Sequence, residues 1–192
     1  MACPIPSGTQ SGERLVLFVT NYGQGFAPPS PWTLIQAADG DGIAGMTVWT
    51  KVSAGSEAAS VNLGGFYADD PRLALMLRLA PCSVNASAKQ LGTVPPFTAP
   101  SLAVPGSNAF VVRAWGYQSY AVSNMTWDSS VANHGSRRST SVTTTAPQYW
   151  ANMGLGLAQF TSPATAPALA LDPALTGSQI VGGYGAVTVA FV

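Results

Sequence analysis

Pro31-Trp-Thr-Leu-Ile-Gln36, the turn Asp39-Gly-Asp-Gly42, and Gly45-Met-Thr-Val-Trp-Thr-Lys-Val-Ser-Ala-Gly-Ser-Glu57 decide the fold. The stretch reads as two β-strands joined by a turn, since glycine after aspartate supplies the positive φ a tight hairpin requires. In the second strand Val48, Thr50 and Val52 point to one face and Thr47, Trp49 and Lys51 to the other. Trp32 and Trp49 each bring a large apolar surface, suited to anchoring a sandwich core or an interface.

Toward the amino terminus, Arg14-Leu-Val-Leu-Phe-Val-Thr20 is apolar on both faces, the pattern of a central strand. Tyr22 to Pro31 is a loop that glycines and prolines keep from pairing. Toward the carboxyl terminus, Ala58 to Leu63 is a weaker extended run. Leu73, Leu75, Leu77 and Leu79 then alternate with Ala74, Met76 and Arg78. These residues also form helices readily, and Asp70-Pro71 would start one. The period of two predicts a strand.

Residues 92–108 carry four prolines and read as a long unpaired loop. Ala109 to Trp115 is an apolar strand, Tyr120 to Trp127 alternates loosely, and Asp128 to Ser136 is a polar turn. Arg138 to Thr145 is a threonine-rich strand. Ala151 to Phe160 is another, with Met153, Leu155 and Leu157 on one side; glycines at 154 and 156 predict close approach by another backbone. Residues 161–178 read as a connection, and Gly185 to Val192 as a sheet-bound terminal strand.

Eight to ten short strands with turn signals between them predict an all-β fold, a two-sheet β-sandwich wired like a jelly roll or an immunoglobulin domain. Residues 1–12 form a Pro-rich arm and 13–192 a single domain. The expected core comprises Leu15, Leu17, Val19, Trp32, Val48, Trp49, Leu75, Leu77, Val111, Trp115, Leu155 and Val189. The expected interface comprises Pro4, Ile5, Pro6, Phe26, Pro28, Pro29, Pro95, Pro96, Phe97, Tyr149 and Trp150.

Of the 192 residues 47% are hydrophobic but only 8% charged, with zero net charge. Soluble domains average roughly 25% charged residues, so this surface lacks the repulsion that keeps proteins apart. That favours a subunit that hides surface against neighbours over a monomer coated in serine, threonine and asparagine. No basic stripe exists to neutralise a phosphate backbone, which argues against nucleic acid. No run of 18 apolar residues suggests a membrane span, and no export signal is visible at the start. With no such signal, the Asn85 and Asn124 glycosylation patterns read as chance. Cys3 and Cys82 cannot form a disulfide framework, although a single bond between them is open.

The residues suggest little reaction chemistry. His134 has no adjacent cysteine or paired carboxylate to build a zinc site, and no Gly-x-Ser-x-Gly elbow marks a nucleophile. Asp39-Gly-Asp41-Gly42 lacks the further carboxylate of a calcium loop, and Asp69-Asp70 reads as a turn or cap. No cofactor is expected. Tyr117, Tyr120, Trp127, Tyr149 and Trp150 would serve either as core and interface anchors or as a sugar-stacking platform.

The order Glu13-Arg-Leu-Val-Leu-Phe-Val19, Pro31-Trp-Thr-Leu-Ile35, Val48-Trp-Thr-Lys-Val-Ser-Ala-Gly-Ser-Glu57 and Leu75-Met-Leu-Arg-Leu79 resembles a β-sandwich module of tailed-bacteriophage virion proteins. Thr98-Ala-Pro-Ser101 and Asn108-Ala-Phe-Val-Val112 look like its second half. The chain departs from the module in Pro31, where glycine is usual, and in Ala58, where proline is usual. The resemblance implies a structural virion protein on the particle surface, made in the host cytoplasm and without enzymatic activity. Its first form is a capsid decoration (cement) protein, a homotrimer bound to the major capsid protein with the arm reaching neighbours. Its alternative is a tail-fibre or tail-tip module that binds host glycans; a lone hydrolase is a weaker third.

Overall fold

The computed structural model describes residues 1–22, 28, 30–40, 43–64, 72–104, 106–119, 126–127, 139–140, 150–172 and 180–192. Among them the chain is all-β, with sixteen strands and no helix. Two antiparallel sheets make the sandwich. The first places β3 (Thr33–Gly40), β4 (Ile43–Val52), β2 (Arg14–Tyr22) and β6 (Leu73–Leu79) side by side in that order. The second runs β12 (Ser139–Thr140), β13 (Trp150–Phe160), β10 (Ala109–Ser119), β16 (Ile180–Phe191) and β7 (Val84–Gly92).

Alternation along each strand divides the side chains between separate cores. Val16, Phe18, Met46, Val48, Leu73, Val112, Ala114, Met153, Leu155, Val187 and Val189 are buried between the sheets. Leu75, Leu77 and Leu79 pack against them, so the leucine stripe is a strand face turned inward. Met153, Leu155 and Leu157 share that core as the periodicity implies.

The outward faces are buried as well, under the Pro-rich arm, the weaker extended run Ala58 to Leu63 and the segments 92–108 and 161–178 that read as loop and connection. β1 (Ala2–Pro4) pairs with β5 (Ser60–Asn62), placing Cys3, Val61 and Leu63 over Leu17 and Val19, with Trp32 and Trp49 packed alongside. The arm is therefore tied to its own domain. Ile5 N donates to Ala59 O (3.0 Å), Arg78 Nη1 to Ser7 O (3.0 Å) and Gly12 N to Ser53 O (3.0 Å).

On the opposite side, residues 92–108 and 161–178 are not mere connections; they pair with each other. β8 (Phe97–Ala99) lies against β15 (Leu169–Asp172), and β9 (Leu102–Val104) against β14 (Ala164–Ala166). β11 (Thr126–Trp127) adds to β15. The two pairs keep one register from Phe97↔Leu171 to Val104↔Ala164. They form a single ribbon interrupted only at Pro100-Ser101 and Pro167-Ala168, because proline has no N–H to give the ladder. Beneath it lie Trp115, Tyr117, Tyr184 and Phe97 at one end and Val111, Ala109 and Ala190 at the other. Trp115 Nε1 donates to Phe97 O (3.0 Å), fastening ribbon to sheet.

The sandwich is pinched at one end. Gly116 and Gly185 are register partners on β10 and β16. A Cβ on Gly116 would lie 2.6 Å from Gly45 O, and one on Gly185 2.8 Å from Met46 N. Only glycine lets the two backbones come this close. At Gly156 the close neighbours are the Trp115 ring and Leu169 rather than a backbone.

Candidate functional site

With both outer faces covered, free polar backbone remains at the end strands of the sheets, and two of these lie along one flank. β3 and β7, the last strands of their sheets, run beside each other, and among the described residues neither has a partner on its outer side. β3 is broken by bulges between Leu34 and Gln36 and between Ala38 and Gly40, a usual device for blunting an edge. β7 is regular from Ala86 to Gly92, with its one irregularity opposite Ala190 and Phe191. From Asn85 to Gln90 its residues are small or unbranched, so little stands in the way of an added strand. Lys89, the one cation on it, donates to Ala37 O on β3 (2.8 Å).

A groove of about 630 Å³ lies between these edges, lined by Pro31, Thr33, Leu34 and Ile35, by Ser83 to Ser87, and by Arg14, Thr50, Lys51 and Val52. Its cations are engaged within the chain. Arg14 donates to Cys82 O (2.6 Å) and to Thr50 Oγ1 (3.3 Å). Lys51 pairs with Glu57 and sits 5.5 Å from the Trp32 ring centroid. The hydrogen bond from Lys51 is the main reason the Glu57 carboxyl lies below its ordinary pKa. The groove therefore offers backbone hydrogen-bonding groups and apolar surface in place of unpaired charge. Leu34, Val52, Leu91 and Val94 are exposed on or beside these strands, at 45%, 54%, 39% and 62%. They are most of the exposed large hydrophobics among the described residues.

The expected interface residues do not gather here. Pro4 is exposed and Ile5 and Pro6 half-buried on the docked arm; Pro95 is half-buried and Pro96 exposed. Pro28 is buried. Phe97 is a correction: it is fully buried, 4.4 Å from Tyr184 and 4.8 Å from Tyr117 between ring centroids. Its place at the start of the ribbon turns it onto the sheet. Phe26, Pro29, Tyr149, His134, Asp41 and Asp69-Asp70 lie outside the described residues, as does the Trp150 side chain.

Of the expected core, Leu15, Leu17, Val19, Val48, Val111, Trp115, Leu155 and Val189 are buried. Trp32, Trp49, Leu75 and Leu77 are half-buried against it. Tyr117, a candidate for sugar stacking, is buried. Cys3 and Cys82 are free thiols, Cys3 buried in the β1–β5 cover. Among the described residues no three His, Cys, Asp or Glu side chains cluster.

Sequence reasoning passed over Arg113, fully buried in mid-strand on β10. Its signal was one charged residue within the apolar run Ala109 to Trp115. No family model, no curated protein and no solved structure matches the chain.

Proposed function

We propose that this chain is a structural virion protein, a capsid decoration (cement) protein that works by binding and without turnover of any small molecule. The observation that supports it best is the β3–β7 flank: the regular edge of β7 beside exposed Leu34, Val52, Leu91 and Val94 on a charge-poor chain. Such an edge accepts an extended segment of another chain through main-chain hydrogen bonds. The virion setting comes from the resemblance of residues 10–116. The partners are then further copies of the chain, as a homotrimer, and the major capsid protein on the particle surface. Binding only to the assembled shell stabilises it by mass action. The glycan-binding alternative draws less support, since Tyr117 is enclosed in the core.

The test is cosedimentation with preformed, expanded phage capsids, together with the melting temperature of those shells. The expected result is bound protein and a raised shell melting temperature, both diminished by Leu34→Lys with Leu91→Lys. Protein that leaves the shells unchanged and binds host polysaccharide supports the tail-module reading instead.

A further inference from the structure

The break in the cover ribbon lies directly on a buried charge. Pro100 and Pro167 interrupt the ladder, and their carbonyls turn toward the sheet. Thr188 Oγ1 donates to Pro100 O (2.7 Å), and Arg113 Nη2 to Pro167 O (2.8 Å). Arg113 and Thr188 are register partners on β10 and β16, so one rung of the sheet clamps both halves of the broken rung above it. The clamp satisfies only part of the guanidinium. Arg113 is 0% exposed, and among the described residues its Nε and Nη1 have no hydrogen-bond partner.

This is a costly arrangement by itself. A buried ion without a counter-charge is strongly destabilising, and arginine cannot escape by losing its proton. Burial depresses the pKa of the group, and no charge among the described residues opposes that shift. The ion pairs among the described residues, Lys51–Glu57 and Arg78–Glu13, lie elsewhere. Ser101, Pro167 and Ala168 in the broken rung are all exposed and the guanidinium beneath donates to Pro167 O, so an anion would have to enter through this rung.

We propose that Arg113, under the proline break of the cover ribbon, binds a small singly charged anion, a halide or a carboxylate. The anion lies against the guanidinium nitrogens that Pro167 leaves open and supplies the counter-charge that locks the ribbon down. This site is independent of the β3–β7 flank and of any virion role.

The experiment is thermal and urea unfolding of the full chain with sodium chloride or sodium acetate, ionic strength being held constant with sodium gluconate, whose anion is too bulky for a buried site. Above the dissociation constant, each tenfold rise in the free concentration of the anion that binds lowers the unfolding equilibrium constant of the wild type about tenfold. Arg113→Met loses that dependence. A response to chloride assigns a halide site and one to acetate a carboxylate site. No response to either, or an equal response in Arg113→Met, overturns the proposal. Should Arg113→Met fail to fold, bromide-soaked crystals of the wild type decide the matter by anomalous scattering. A bromide peak in contact with Arg113 Nε or Nη1 supports the site; for a halide-responsive protein, peaks only elsewhere overturn it.

Discussion

Replacing Gly185 by alanine is a direct probe of how closely the two sheets meet. The new methyl would collide with the Ala38 carbonyl oxygen and lie 2.8 Å from Met46 N and 3.1 Å from Ala38 C. All three are backbone atoms of the facing sheet, held in the β3–β4 ladder, so no side-chain rotation relieves the clash. Relief requires the sheets to part, which loosens the packing of Val187 and Val189 beside the site. Overpacking a core costs about 1–3 kcal/mol, and a clash against rigid backbone belongs at the upper end, about 3 kcal/mol. For a chain of this size that lowers Tm by about 6–12 °C, at roughly 2–4 °C per kcal/mol. Gly64→Ala is the control, because a Cβ there meets nothing within 4 Å. It should leave stability unchanged or raise it by up to about 1 kcal/mol through the unfolded chain. Differential scanning calorimetry with urea melts reads both variants. A Gly185→Ala protein melting within about 2 °C of wild type would refute the pinched sandwich.

Three further outcomes follow from local geometry. Trp115→Ala should cost about 3–5 kcal/mol, since it empties a fully buried site and strips Phe97 O of its donor; half-buried Trp49→Ala should cost less, and equal losses in urea melts would count against two separate cores. The Glu57 carboxyl is held below its ordinary value of 4.5, first by the hydrogen bond from Lys51. Its stabilising contribution is complete above that value and is lost as pH falls through the lowered one, so the stability gap between wild type and Glu57→Gln should narrow on acidification; a gap constant with pH contradicts the pairing. Burial pushes the Cys3 thiol up to about 11 and raises Cys82 less, so native-state alkylation near neutrality should label Cys82 well before Cys3, and equal rates would mean the β1–β5 cover is open.

How much of this was legible in the sequence depended on which residues carry each strand. β2, β10 and β16 announce themselves through runs rich in apolar and β-branched residues, and β6 through its leucine alternation. The all-β sandwich followed from these. β7 escaped notice because its middle, Asn85 to Gln90, is built from asparagine, alanine, serine, lysine and glutamine, which give no strand pattern. It forms because Ala86 and Ala88 pack against the cluster under the ribbon and its backbone completes the ladder with β16. The ribbon was hidden by its prolines, which signal unpaired chain locally. Its strands find each other across a long sequence separation, with Leu169 and Leu171 packing beside Phe97. The apolar character of both faces of β2 was readable, but the cover that makes the outer face a core was not. The candidate site was the least legible part: an edge is a property of strand order, and strand order is decided by pairings that local pattern does not encode.

The central claim, a virion assembly subunit, is tested most directly by locating the chain on the particle. Gold-labelled antibody to this protein, viewed by electron microscopy on intact virions and on shells stripped of surface proteins, should decorate the wild-type head regularly and leave the stripped shell bare. Particles that carry no label anywhere would contradict the account.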